Sequence, residues 1–338
     1  MTYSPELRDE LKSRLQRLSD EKLLLGNPER LRQLAAEAVE MSRLVGPPWK
    51  QLAEYRFAHV LLRQPSVTED HAEETARLKQ IEEHFKLAAN YEQERLFGPL
   101  PYIYLIAVLT RLMKNDQDNA ADYQQKIERH FKTAARLTSQ LDLIVPSSNE
   151  SETGPLQQHS FNLLELVSYC LDLDYRVLSG RGGLSHDNRF LNGSWRIFSN
   201  DPTVQAIPYD LEFGLAELEE ILASNPDSVG FIYGNATTVR NGWKCGSQKD
   251  MDHEVNDDYL KLLSIILSKP SLAERSNTAA RNRYFPNINA DDTRQLKKRC
   301  KTALVTLTGA ESDKIFPNTS FDLDIPVYGL VNEAALRS

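Results

Sequence analysis

Hydrophobic residues recur every three or four positions through most of residues 4–180, and this spacing predicts α-helices. Residues 4–7 and 27–30 each begin with a Ser or Asn followed by proline, a pattern typical of a capped helix start. Breaks rich in glycine and proline at 46–48 and 98–101 end helices. The predicted helices cover 31–44, 49–63, 69–96, 102–114, 121–143 and 160–178.

A ten-residue segment occurs twice within this helical region. Residues 81–90 (IEEHFKLAAN) return 46 positions later, from 81 to 127, as residues 127–136 (IERHFKTAAR). Ile81, Phe85 and Ala88 fall at i, i+4 and i+7, so they share one helix face, and the second copy keeps the same three residue types. A repeat of this period indicates stacked helical units, whose neighbours pack on one another.

The pair of helices in each copy resembles the helical hairpins of tetratricopeptide-type arrays, which also place small residues where helices cross. The resemblance covers residues 30–180 and implies recognition of a protein or peptide on a concave surface. The spacing of this repeat exceeds the period of about 34 residues in that family. A general right-handed helical repeat and an irregular bundle with one duplicated hairpin are therefore alternatives. In each case Tyr55, Tyr102 and Tyr104 are candidates to line a partner groove.

The pattern changes after the glycine-rich segment 179–183, which predicts a domain boundary. Short runs of β-branched or aromatic residues now alternate with helical spacing. The predicted strands are 194–198, 204–207, 229–233, 303–308 and 326–331, and the predicted helices are 209–224, 254–267 and 293–302. We therefore expect a mainly α protein, with a helical-hairpin repeat array over 1–180 followed by a small α+β domain over 184–338.

Composition narrows the class of protein. Of 338 residues 41% are hydrophobic and 26% charged, as in soluble globular proteins, and the net charge is −8. This acidity argues against a protein whose whole surface coats nucleic acid. The cysteines, Cys170, Cys245 and Cys300, match no zinc or disulfide spacing, which favours a reducing compartment and a cytoplasmic location. No apolar run reaches the length needed to span a bilayer.

An acidic segment follows Gly246 and carries the candidate metal ligands Asp250, Asp252 and His253. The glycine, the serine after it and the two aspartates resemble the Gly-Ser and Asp-X-Asp signature of nucleotidyltransferases. In that family a helix start binds phosphate and the carboxylates hold magnesium. Here the two parts are nearly adjacent, where the family separates them by about a strand. Acidic residues also favour a helix start through its dipole, so a polar loop before a helix is the preferred interpretation.

Histidines His84 and His130 occupy equivalent positions in the two copies of the repeat. This equivalence raises the hypothesis of paired ligands. Each histidine lies beside the apolar stripe, however, and this placement favours a structural contact between hairpins.

The strongest local excess of positive charge lies near the end of the chain. It contains Arg294, Lys297, Lys298, Arg299 and Lys301. Such a run is typical of a solvated helix surface, and it is also suited to phosphates or to an acidic partner.

These patterns favour an interaction or scaffold component of a larger assembly, bound to a protein partner through the helical-repeat groove. They contain no cofactor motif and no coherent catalytic set. A structural protein that coats or packages nucleic acid is one alternative, and a metal-dependent enzyme with its site in the second domain is another. Self-association into a homo-oligomer is compatible with all three hypotheses.

Overall fold

A computed structural model provides the fold. It describes residues 5–18, 27–63, 71–89, 100–139, 195–234, 241–246, 255–268, 290–316, 323–332 and 335–336. The contacts between residues divide the chain into two compact units, Met1–Asp187 and Asn188–Ser338. The predicted boundary at 181–183 lies outside the described residues and stays a prediction.

The described part of the first unit consists of α-helices and one short 3₁₀ turn. The helices are α1 (Pro5–Arg17), α2 (Pro28–Val45), α3 (Trp49–Arg63), α4 (His71–Ala89), α5 (Leu100–Asn115) and α6 (Ala120–Ser139). Helix α2 begins as its sequence predicts, because the side chain of Asn27 accepts a hydrogen bond from the Arg30 amide at 3.0 Å. Each helix packs mainly against its neighbours in the chain, from α1 and α2 through to α5 and α6.

The first ten residues of helix α5 are enclosed on all sides. Every residue from Leu100 to Leu109 is buried, as is Leu112. A helix that is apolar on all sides is stable in water only when neighbours cover it all round. Its contacts with α4 on one side and α6 on the other supply that cover.

The second unit is built on a five-stranded mixed sheet. Its strands are β1 (Trp195–Ser199), β2 (Pro208–Tyr209), β3 (Val229–Tyr233), β4 (Gly242–Cys245) and β5 (Val327–Asn332). Their order across the sheet is β2, β1, β5, β3, β4. Strands β3 and β5 pair in parallel, and the other neighbouring pairs are antiparallel. The described helices of this unit are α7 (Leu211–Ser224), α8 (Asp257–Ser268) and α9 (Ala290–Thr308).

Helices cover both faces of the sheet. Alternation along β3 directs Phe231 into a core shared with α8 and α9, while Gly230 lies against Leu222 of α7 on the opposite face. Gly329 of β5 lies opposite Phe231 in the pairing. A Cβ atom on this glycine would lie 2.2 Å from Cζ of the Phe231 ring, so glycine at 329 makes room for the phenylalanine.

The predicted fold class is confirmed: the chain is mainly helical, and a small α+β unit follows the first helices.

Two predicted strands are wrong. Residues 303–308 continue α9, because Leu304 extends its buried stripe. The hydroxyl groups of Thr302, Thr306 and Thr308 donate to carbonyls one turn earlier, so they are satisfied within the helix. Residues 204–207 are irregular and mostly exposed.

Strand β4 was not predicted from the sequence. Its four residues include a glycine and a lysine, which interrupt the β-branched and aromatic pattern. Antiparallel pairing with β3 makes this segment a strand.

Candidate interaction surfaces

Helix α9 positions the basic run on the surface of the second unit. Leu296, Cys300 and Leu304 recur every four residues and are buried, which fixes the side of the helix that faces the core. Three side chains of the run are exposed as a result. We refer to Arg294, Lys298 and Arg299 together as the cationic face.

The other two lysines of the run pack against Phe316. The Nζ atom of Lys297 lies 5.6 Å from the centre of the phenylalanine ring, within the range of a cation–π contact. Lys301, one turn later, donates a long hydrogen bond of 3.4 Å to the Phe316 carbonyl. Phe316 is buried and has a positive φ of 49°, which is unusual for a bulky residue. The sequence did not reveal this anchor, because the contact forms only when the chain returns to α9.

The tyrosines expected to line a groove lie in the interior of the first unit. Tyr55, Tyr102 and Tyr104 are 4%, 8% and 8% exposed. Tyr104 stacks on Phe85 with ring centres 5.2 Å apart, and its ring centre lies 4.3 Å from that of His59. A partner could reach very little of these rings, so their observed contacts are those of a core.

The two copies of the repeated segment differ in the burial of their apolar residues. Ile81 and Phe85 of α4 are completely buried. Their counterparts in α6, Ile127 and Phe131, are partly exposed. We call Ile127 and Phe131 the α6 face. Sequence identity between the copies could not reveal this difference, because burial depends on which elements pack on each helix.

Three charged side chains are exposed close to the α6 face in the sequence. Glu128, Arg129 and Lys132 are exposed on the same two turns of helix.

The repeat histidines have different surroundings. Nδ1 of His84 is paired with the carboxylate of Glu54 on α3, and the ring centres of Phe57 and His84 lie 4.5 Å apart in an edge-to-face arrangement. His130 lies 5.9 Å from the ring of Tyr102. Burial lowers the pKa of His130, and the positive charges of Lys86 and Arg129 lower it further. These contacts place the histidines in packing between helices, and within the described residues no group of three or more His, Cys, Asp or Glu side chains could hold a metal.

The candidate metal ligands Asp250, Asp252 and His253 lie outside the described residues. The glycine that precedes them is described and has a structural role. Gly246 has φ of +50°, and its amide donates to the Ser228 carbonyl at 2.7 Å. A Cβ atom there would lie 2.2 Å from the carbonyl oxygen of Pro226. The tight turn after β4 therefore explains this glycine without a bound phosphate.

The described cysteines are poor nucleophiles. Burial raises the pKa of the Cys245 thiol, and the nearby charge of Asp227 raises it further. Burial raises the pKa of Cys300 to about 12. Both thiols are therefore protonated near neutral pH, whereas the thiolate is the reactive form.

Among the described helices, none combines the length and the apolar character that crossing a membrane requires.

Comparison of the chain with protein-family models, with curated proteins and with solved structures gives no match.

Proposed function

We propose that this chain is an interaction or scaffold component of a larger cytoplasmic assembly, and that it binds a protein partner through the α6 face. The observation that carries the proposal is the difference between the two copies of the repeat. The same residue types, Ile and Phe one turn apart, are buried in α4 and partly exposed in α6. In stacked helical units the apolar face of each unit is covered by the next, so a partly open copy offers a place for another protein to continue the packing.

The charged side chains on the same two turns as the α6 face support a protein partner. Exposed Glu128 has a charge opposite to those of Arg129 and Lys132, so the surface around the α6 face is of mixed sign. Charges of both signs favour a partner whose surface also carries both signs. Such charge complementarity contributes more to orientation and specificity than to affinity. Burying the exposed parts of Ile127 and Phe131 would supply the apolar contribution.

The proposal is tested with the full chain purified under mild conditions from the cells that encode it. We expect a partner in stoichiometric amount with the wild type, and its loss from the double variant Ile127→Gln, Phe131→Gln. The control is Arg111→Gln, Lys114→Gln, which changes two exposed residues on α5, outside this face, and should retain the partner.

Light scattering of the purified chain distinguishes a second copy of the chain from a different protein as the partner. A homo-oligomer that dissociates in the Ile127→Gln, Phe131→Gln variant identifies the partner as a second copy. A monomer that retains no stoichiometric protein, or a partner that remains bound to this variant, would overturn the proposal. Far-ultraviolet circular dichroism verifies that each variant keeps its helical content.

A further inference from the structure

Two exposed side chains of opposite charge lie on one side of the α6 face. An α-helix turns by about 100° per residue, so Glu128 lies about 60° from Phe131 around the helix. Lys132 lies about 100° from Phe131 in the same direction. Both charged side chains are exposed. The α6 face is therefore bordered on this side by a negative and a positive charge one turn apart.

These two charges do not compensate each other within the chain. An acidic residue four positions before a lysine has the spacing that favours an ion pair on a helix. Asp122 and Lys126 of the same helix form such a pair, with 2.7 Å between the carboxylate oxygen and Nζ. In the part of the chain that the structure describes, neither Glu128 nor Lys132 forms an ion pair. The rest of α6 after Glu128 contains no acidic residue by sequence, so both charges can pair with another molecule.

This arrangement of charges is complementary to itself. A two-fold axis relates two copies of a chain so that residue i of one contacts residue j of the other, and the reverse. With two α6 helices antiparallel and the axis at position 130, midway between the two charges, each Glu128 is level with Lys132 of the second copy. Phe131 is one position from this axis, a rise of about 1.5 Å, so the two phenylalanine rings meet near the centre.

We propose that the partner at the α6 face is a second copy of this chain, bound in this antiparallel arrangement. The inference rests on the proposed function and names its partner. A different protein would have to present an apolar side chain with the two opposite charges in reverse order, whereas a second copy does so by symmetry. The net charge of −8 on each copy opposes association at long range. At physiological salt the screening length is about 8 Å, so the close pairs at the contact are less affected by this repulsion.

The experiment exchanges the charges and measures the dissociation constant of the dimer. Sedimentation equilibrium of the full chain at about 150 mM salt should show a monomer and a dimer in equilibrium. Glu128→Lys places like charges opposite each other twice in the dimer, and so does Lys132→Glu. Each single variant should therefore dimerise about tenfold more weakly than the wild type.

An equimolar mixture of these two variants tests the antiparallel register. In the mixed dimer each reversed charge meets an opposite charge on the other chain, so its affinity should return to within about threefold of the wild type. The control is Arg129→Glu, which makes the same change of charge as Lys132→Glu. Arg129 is exposed and lies about 160° from Phe131 around the helix, so this variant should stay within about twofold of the wild type. Circular dichroism verifies the helical content of each variant.

The outcomes separate this inference from the proposed function. A mixture that associates no more tightly than the separate variants, or a wild type that is monomeric up to about 100 μM, would overturn the inference. A monomeric wild type can still retain a different protein that the Ile127→Gln, Phe131→Gln variant loses. This result would leave the proposed function intact. A dimer unaffected by the same double variant would overturn both.

Discussion

The carboxylate oxygen Oε2 of Glu54 lies 2.6 Å from Nδ1 of His84, and the Glu54 side chain is only 2% exposed. This pair joins α3 to α4 within the first copy of the repeated hairpin. The second copy has no equivalent pair, because the position 46 residues after Glu54 is Leu100. The two hairpins therefore share an apolar face and differ in the polar contact that accompanies it.

Replacement of Glu54 by alanine should destabilise the first unit by about 1–3 kcal/mol, since the His84 imidazole would lose its buried acceptor. The measurement is the free energy of unfolding in urea, followed by circular dichroism. Glu83→Ala, at an exposed position on α4, is the control and should change stability by less than about 0.5 kcal/mol. Equal effects of the two substitutions would show that the Glu54–His84 pair contributes nothing to stability.

The lowered pKa of His130 predicts a loss of stability in acid. The unfolded chain takes up a proton at about pH 6.5, before the folded chain does, so the free energy of unfolding falls as pH drops below that value. His130→Gln should reduce the loss measured between about pH 7.5 and about pH 5. Arg129→Gln removes one of the charges that lower this pKa and should give a smaller reduction. Identical pH profiles of wild type and His130→Gln would contradict the prediction.

Gly329→Ala should destabilise the second unit, because its Cβ atom would lie 2.2 Å from the Phe231 ring. Overpacking of this kind costs about 1–3 kcal/mol. Phe231→Leu alone should also destabilise, through the cavity that it leaves. The two substitutions together should cost less than their sum, since the smaller leucine makes room for the new methyl group. Additive losses in a double-mutant cycle would exclude the proposed contact.

Two glycines with positive φ allow two costs of a substitution to be distinguished. One is the cost of a steric clash, and the other is the cost of a left-handed backbone conformation. Gly309, with φ of +66°, has no atom within 4 Å of a built Cβ, whereas at Gly246 the Pro226 oxygen lies 2.2 Å away. Gly309→Ala should cost about 1–2 kcal/mol, for the left-handed backbone alone. Gly246→Ala should cost at least about 1 kcal/mol more. Thermal unfolding compares them, and a smaller loss at Gly246 would argue against a tight turn there.

Thiol labelling tests the protonation of the cysteines. At about pH 8 both described cysteines should react with iodoacetamide more slowly than a free cysteine, because the pKa of each is raised. Cys300 should be the slower of the two, since it is fully buried in the core. Mass spectrometry of the intact chain and its peptides gives the rate at each site. Fast labelling of Cys245 would contradict this prediction.

The sequence predicted those features of helices and strands that depend on residues close together in the chain. Asn27 caps α2 because its side chain reaches an amide three positions later in the chain, and this contact needs no other element. The run 229–233 is a strand, as its β-branched and aromatic residues predict, and all five of its residues are buried. The basic run of α9 and the repeated apolar face could be identified in the same way.

Other features depend on contacts between residues far apart in the chain, and only the tertiary structure shows them. Packing of α4, α5 and their neighbours enclosed Tyr55 and Tyr104, which by residue type alone suited an exposed groove equally well. Residues 303–308 are helical because Leu304 completes a buried stripe, although their β-branched composition favoured a strand. The contacts of His84 with Glu54 and of Lys297 with Phe316 join segments 30 and 19 residues apart in the chain. Composition and periodicity limit which residues can be buried, whereas burial itself depends on the element that packs against each face.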